Sequence, residues 1–474
     1  MNKFKLNTQV TELKGDTLTP VTLYLKIRDL YPHSLLLEST DYQPDTNCYT
    51  YICFGPLATF KVIDSQAIVT LCDGSSTTLP LTSDYSAVEA FEDFSSKFQV
   101  NSNADKYSCL NGFFGYIAYD AVQYFEDIKF ESKTSPEYFI PDIQYTVFQF
   151  VLAINHHKNE MYLLENIPEN IVSDFPIKDT SELIETVIRS RGAQYSFKRD
   201  QVEISQISDE THRDRIATCK DHVNRGDVFQ IVISRRFEQK FHGDEFNVYR
   251  ALRRVNPSPY LFYFDYGDFR LFGSSPEAQL IIEQGKASLF PIAGTCQRTN
   301  NEEEDLALIE SLKDDEKENS EHVMLVDLAR NDLSKHCQDV EVLKFKQVQI
   351  YSHVIHLCSH VSGTINSSVS PFQLLADTFP AGTLSGAPKH RAMQIIDNLE
   401  KTKRGFYGGA IGAISFSGDC NHAIMIRSFL SKNGTLFRQA GGGIVIDSDP
   451  QAEVQEVNNK LAALKASLQL AEEF

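Results

Sequence analysis

Between Val21 and Leu81 the chain is written as short β-rich runs, SLLLEST, CYTYICFG, ATFKVI and QAIVTLC, separated by Asp, Gly, Pro and Asn. Runs of this length bounded by turn residues are strands, and their number commits the chain to sheet. An amphipathic stretch near Ala87 to Phe98 adds a helix, GFFGYIAYDAV a further strand, and IQYTVFQFVLAINHHKNEMYLLE a hairpin whose turn holds Asn155 and Asn159. His156 and His157 fall in that exposed turn and are poor site candidates. Beyond it, Thr211 to Arg225 has helical spacing, FQIVISRRFEQKF reads as strand, FNVYRALRRVN as helix, and NPSPYLFYFDY as sheet again. No fixed-period repeat organises the mixture, so the fold class is α/β (α+β).

At roughly 150 residues per domain, a chain of 474 residues allows several domains or one large body of two entwined halves. The polar stretch from about Asn166 to Ser196, helical in SELIETVIRSRG, is the best boundary and divides the chain into regions 1–195 and 196–474. With 45 basic against 64 acidic side chains, net −19, the chain repels a phosphate backbone or an anionic membrane. Nucleic acid and membrane are therefore not expected partners. An anionic substrate would need local Arg, Lys, backbone N–H groups or a bound divalent cation. The nine cysteines are odd in number and free of CxxC spacing, which signals neither a disulfide framework nor a zinc site. The opening MNKFKLNTQVTELKGD has no apolar signal core, and no apolar run approaches membrane-spanning length, so a soluble cytoplasmic protein is expected.

In KENSEHVMLVDLARND, Glu318 and Glu321 stand at i and i+3 on a segment whose apolar residues suit a helix. Two carboxylates on one face repel, and Mg²⁺ would offset them; a solvated acidic face is the plainer reading of that pair alone. The last helix repeats the pattern, with Asp449 as N-cap, Pro450 at N1, and Glu453, Glu456 and Lys460 on one face. Gly382, Thr383, Ser385 and Gly386 precede a helix beginning near Pro388, a place that favours an anion but lacks the P-loop pattern. Gly441, Gly442 and Gly443 interrupt an expected strand, where only close backbone approach justifies them. HAIMIRSFL reads as one period-two strand with Arg427 among apolar neighbours, awaiting either a core carboxylate or a substrate carboxylate. His353, His356 and His360 lie in a strand-forming context that separates His353 from the others, leaving a single His as a possible general base. Glu277, after a strand in FGSSPEAQL, is a surface residue or a general acid raised by burial.

Taken in order, FQIVISRRF, NPSPYLFY, FGSSPE, PIAGT, ENSEHVMLVDLARND, FPAGTLSGAPKHRAM, RGFYGGAIG and AGGGIVIDSDP closely resemble the large subunits of anthranilate synthases within the chorismate-utilising enzyme family. The similarity is dense over about 205–465 and sparser before it, through LLLEST and GFFGYIAYD. Family members that add water to chorismate carry Lys where this chain has Gln230, and aminodeoxychorismate synthases carry a nucleophilic Lys where it has Ala293. A methyl group cannot attack the ring, so Ala293 points to direct amination at C2.

The resemblance implies two β-sheets packed face to face with helices outside, the N-terminal region being interleaved with the catalytic body. It implies a carbon–oxygen lyase that uses Mg²⁺, held by Glu321 and Glu456 with Glu318 and Glu453 as further ligands. Substrate would be bound by Tyr407, Arg427, Gly441, Gly442, Gly443, Lys460, Gly294 and Thr295. Catalysis would fall to Glu277 as acid and His356 as base, with Thr383 completing the polar lining. Glu38, Ser39, Pro259, Tyr260 and Leu261 resemble a tryptophan feedback pocket, although Leu261 stands where Met is usual. Chorismate and ammonia would be the substrates, and L-tryptophan the inhibitor. No Cys-His-Glu glutaminase is present, so ammonia would come from a separate glutamine amidotransferase subunit in a hetero-oligomer of two plus two subunits. The alternatives are an aminodeoxychorismate synthase and a catalytically silent tryptophan-binding partner.

Overall fold

The computed structural model describes residues 3–15, 18–39, 49–102, 105–169, 183–184, 187, 192–299, 301–350 and 354–474. Two long strands, Thr50–Ile63 and Ile143–Asn155, organise it, because each is hydrogen-bonded into two sheets. The first sheet runs from Phe197–Ser205 through Gln230–Gly243, Thr435–Ile444, Ser428–Lys432, Phe269–Ser275, Tyr260–Asp265 and Leu35–Ser39 to the long pair. Glu160–Pro168, Phe4–Lys14 and Phe98–Ser102 close its other end. The second sheet leaves the long pair through Gly112–Ile117, Ala410–Ser415, Cys420–Ile424, Ala278–Glu283 and Lys286–Leu289. It ends at Val354–Ile365, which also pairs with Ile292–Gln297 and Cys337–Ile350. The switch between sheets follows a register shift between Pro56 and Ala58, next to Gly55 at φ +70°. An extra residue bends the strand there, and glycine accepts the left-handed backbone.

Side-chain alternation then builds the layers. Phe262 and Phe264 point between the sheets, where they meet Phe114, Tyr116, Ile411 and Ile424 of the second sheet. Their neighbours Leu261 and Tyr263 point outward, onto the helices Pro20–Ile27, Phe246–Val255 and Pro450–Leu470. On the far side, Phe113 and Ile117 pack under the helices Ala87–Ser95 and Pro371–Thr378. Each buried aromatic or aliphatic side chain stabilises this arrangement by about 1.5–3 kcal/mol. The result is two sheets face to face with helices outside.

Strands of the N-terminal 195 residues sit inside sheets completed by the rest of the chain. Leu35–Ser39 bonds to Tyr260–Asp265, and Gly112–Ile117 to Ala410–Ser415. Most of the polar stretch around 170–191 lies outside the described residues, as does His353. No helix among the described residues is long and apolar enough to cross a membrane.

Two local expectations are corrected. HAIMIRSFL is two strands, Cys420–Ile424 and Ser428–Lys432, because Arg427 adopts φ +50° and turns the chain between them. Gly441, Gly442 and Gly443 do not interrupt their strand, since the ladder to Gln230–Gly243 is continuous through all three. Hydrogen bonds from the neighbouring strand supply what the missing side chains do not.

Candidate active site

The glycines form the floor of the site. Gly441, Gly442 and Gly443 pair with Ser234, Ile233 and Val232. A Cβ on Gly442 would lie 2.9 Å from Glu453 Oε2 and 4.0 Å from Glu456 Oε1. One on Gly443 would meet Gln230 Nε2 at 2.5 Å and Glu321 Oε1 at 3.7 Å. The bare backbone therefore lets carboxylates from two distant helices approach one strand. The final helix begins at Pro450, and its N-cap Asp449 accepts from the N–H groups of Gln451 and Ala452. The other helix, Glu316–Ser334, is capped by Asp315, which accepts from the Glu318 N–H.

The acids are held by ordinary donors. Gln230 Nε2 donates to Glu321 Oε1 at 2.5 Å, and Lys460 Nζ reaches both Glu456 Oε1 at 2.7 Å and the Gly441 carbonyl at 2.9 Å. Glu318 Oε2 lies 3.4 Å from where a Cβ of Gly294 would stand, a residue at φ +77°. Among the described residues no three His, Cys, Asp or Glu side chains converge as a ready metal cluster. Even so, Glu453, Glu456 and Glu321 surround the space that side chains at Gly442 and Gly443 would fill. Hard oxygen donors around a bare strand suit Mg²⁺, which binds few carboxylates and keeps several waters.

Opposite chemistry stands beside them. Thr383 Oγ1, in the short turn Gly382–Leu384, donates to Glu277 Oε1 at 3.0 Å. Burial pushes the Glu277 carboxyl up to about 7, with Thr383 and the Lys460 charge opposing. His356 is buried on Val354–Ile365, with its backbone paired to that of Thr295. Burial and the Arg427 charge bring its pKa down to about 4. His360 instead bonds Ser288 Oγ at 2.9 Å and stacks on Phe290, so the histidines do not form one cluster.

Arg427 makes no ion pair among the described residues, although its guanidinium is surrounded by protein and its pKa is lowered by burial. Among the described residues no carboxylate of the kind its sequence context allowed stands beside it. Tyr407 lies nearby, buried, its hydroxyl pKa raised by desolvation and its oxygen facing the Gly441 N–H. A cation with no ion-pair partner among the described residues, beside a phenol and a bare strand, has the chemistry to receive a carboxylate.

Two residues that sequence reasoning left without a role tie these parts together. Arg404, 2 % exposed, donates to Glu400 through Nε at 2.9 Å and Nη2 at 2.7 Å. It also donates to the carbonyls of Leu384 and Val232, both at 2.7 Å. Glu400 Oε1 further accepts the Ser234 N–H and hydroxyl, at 2.8 and 2.7 Å. One buried ion pair thus fixes the Thr383 turn, the strand opposite the glycines and the segment leading to Tyr407. Its signal was an Arg heading the otherwise uncharged GFYGGAIG.

The five residues of the expected feedback pocket divide between two faces. Ser39 and Tyr260 are paired neighbours, with Tyr260 packed against the inter-sheet core and Pro259 partly exposed beside it. Glu38 and Leu261 point the other way, toward the helices. Glu38 there accepts from Tyr249 Oη at 2.5 Å and Arg253 Nε at 3.0 Å. The side chain of Leu261 is sealed in that core, so only its backbone is available beside Tyr260. Residues 40–48, which follow Ser39, lie outside the described residues.

With this geometry the similarities to known proteins agree. The model of the family described as chorismate binding enzyme matches residues 33–466. Anthranilate synthase component 1 of Aquifex aeolicus is 36% identical over 98% of this chain and 94% of its own length. That of Neisseria gonorrhoeae is 37% identical, over 98% and 95%. Anthranilate synthase component I from Streptococcus pneumoniae superposes with TM-score 0.76 at 30% identity, covering 95% of this chain and 98% of that one. The menaquinone-specific isochorismate synthase of Escherichia coli shares the fold, with TM-score 0.76 at 18% identity over 99% and 96%. A family model matched over residues 33–466, with relatives 36–37% identical over 98% of the chain, shows that the chain belongs to the chorismate-binding enzyme family.

Proposed function

We propose that the protein is the large subunit of an anthranilate synthase: it aminates chorismate at C2 with ammonia and eliminates pyruvate, the first committed step toward tryptophan. What carries the reading is a pair of groups with opposite perturbation, Glu277 raised to about 7 and His356 lowered to about 4. At neutral pH they supply a carboxylic acid and a neutral imidazole, the two proton-transfer partners that the reaction needs.

Arg427 and Tyr407 hold the enolpyruvyl carboxylate with the Gly443 N–H, and Gly294 and Thr295 line the ring side. Glu321 and Glu456, with Glu318 and Glu453, would hold Mg²⁺, which would neutralise the ring carboxylate when bound. Ammonia forms the C2–N bond, the ring double bonds shift, and the C4–O bond breaks as Glu277 gives its proton to the departing hydroxyl. Thr383 keeps the Glu277 carboxyl aimed. His356 then removes the C2 proton while the C3–O bond breaks, the enolpyruvyl methylene takes up a proton, and pyruvate leaves an aromatic ring. The relatives' designation as component 1 implies a second component, and a glutamine amidotransferase in that place would supply the ammonia. Tryptophan occupies the Ser39–Tyr260 side of the first sheet, and Glu38 acts from behind through Arg253. The enzyme works in the cytoplasm as a hetero-oligomer.

The test is purified chain with chorismate, Mg²⁺ and a high concentration of ammonium salt near neutral pH, with and without tryptophan, followed by fluorescence and mass analysis. Anthranilate and pyruvate suppressed by tryptophan are expected. Aminodeoxychorismate would overturn the C2 assignment, and no product would favour a silent regulatory partner.

A further inference from the structure

Glu277 also borders a small cleft with about 50 Å³ of water-accessible space, whose lining includes no residue of the glycine strand. Pro291, Leu325, Leu328 and Ala381 make its walls apolar, and Gln279 and Asp332 line it as well. Among the described residues, none of Glu321, Glu456, Arg427 and Tyr407 lines this space. Gln279 is 2 % exposed; its Nε2 donates to the Thr378 carbonyl at 3.3 Å, while Oε1 has no hydrogen-bond partner. Asp332 is occupied by Lys389 Nζ at 2.9 Å. A buried acceptor left unmade carries the full desolvation penalty of its group, and a cleft of this size has room for a few waters that the Gln279, Glu277 and Asp332 oxygens could hold.

The reaction proposed above demands water and protons at this place. Each turnover leaves Glu277 as a carboxylate and releases the C4 hydroxyl as water, while the new C2 ammonium sheds one proton to solvent. In the proposed reaction substrate would reach Glu277 from the side of Lys460, which does not line the cleft. Thr383, Lys460 and the Cys358 thiol face Glu277, and of these three Thr383 lines the cleft.

We infer that the cleft lined by Gln279, Leu328 and Ala381 is a water passage that carries away the C4 hydroxyl as water and returns a proton from solvent to Glu277. Gln279 Oε1 anchors the water nearest the middle. The inference rests on the proposed reaction, but its first test does not. A high-resolution crystal structure of the full chain without ligand should show ordered waters from Glu277 to Gln279 Oε1; a dry cleft overturns the passage whatever the activity.

Kinetics supplies the second test. Gln279→Leu, close in size but unable to bind water, and Ala381→Leu, which narrows the cleft, should each lower kcat about tenfold with KM for chorismate unchanged and a larger solvent deuterium effect. Unchanged kcat in both variants would overturn the proposal. A raised KM for ammonium at constant kcat would do so too, because the cleft would then conduct ammonia. Should the wild type show ordered waters but form no anthranilate, the functional reading fails and the hydrated cleft stands as observed.

Discussion

At the residue scale, the acid and the base are set by burial rather than by residue type. Glu277 is an ordinary carboxylate until desolvation raises it to about 7, so below that pH it carries the proton that the proposed mechanism has it donate. Above it the acid is lost, and kcat/KM should fall tenfold per pH unit. His356 is neutral above about 4, so the ascending limb should lie near that pH. The pH profile of the free enzyme is therefore expected to be a bell between these limits. The descending limb of kcat should move to higher pH, because the bound chorismate dianion opposes ionisation of Glu277. Glu277→Gln should remove the descending limb along with most activity. His356→Ala should leave the amino intermediate accumulating, with anthranilate formation reduced about 10²–10⁴-fold. Mass analysis of the reaction mixture decides it, and normal turnover would remove His356 from the mechanism.

At the scale of elements, the site depends on how closely two strands and two helices approach. Gly443→Ala places a methyl group 2.5 Å from Gln230 Nε2, which must shift and release Glu321. The variant should fold, at a cost of about 1–3 kcal/mol, and should need more Mg²⁺ for half-maximal rate. An unchanged Mg²⁺ titration would separate Glu321 from the metal. The Arg404–Glu400 pair holds the Thr383 turn to the strand that pairs with the glycines, without touching Glu277 or His356. Arg404→Leu leaves Glu400 a buried charge and should destabilise the protein by about 3–5 kcal/mol, read as a lower urea midpoint. Arg404→Lys keeps the charge but cannot reach Glu400 and two carbonyls at once. It should lower kcat more than it changes KM.

At the scale of the whole molecule, the two sheets share Thr50–Ile63 and Ile143–Asn155, and each is completed by strands from both halves of the chain. A fragment of residues 1–195 would expose the edges of Leu35–Ser39 and Gly112–Ile117 that Tyr260–Asp265 and Ala410–Ser415 cover. Uncovered edges associate with one another. Expressed alone, this fragment should aggregate or lack a cooperative unfolding transition. A soluble fragment that unfolds cooperatively would mean that the N-terminal region has a sufficient core of its own.

Local signals in the sequence sufficed wherever neighbours along the chain decide the outcome. The N-cap Asp449, the i, i+3 carboxylates Glu318 and Glu321, and the sheet segment NPSPYLFYFDY all depend on residues a few positions apart. The motif order identified the family for the same reason, since it is a property of the string. Two features were not legible, because each is decided across the sheets. Arg427 turns the chain where period two predicted a straight strand, because the two strands beside it pair with different sheets. Glu38 and Leu261 face the helices while Ser39 and Tyr260 face the inter-sheet core, a division set by strand register. The sequence by itself determined the elements and the kinds of side chain available for chemistry. Only the tertiary structure decided which carboxylate is raised, which cation stands free and which glycines admit the acids, because desolvation and close approach are properties of packed groups far apart in the chain.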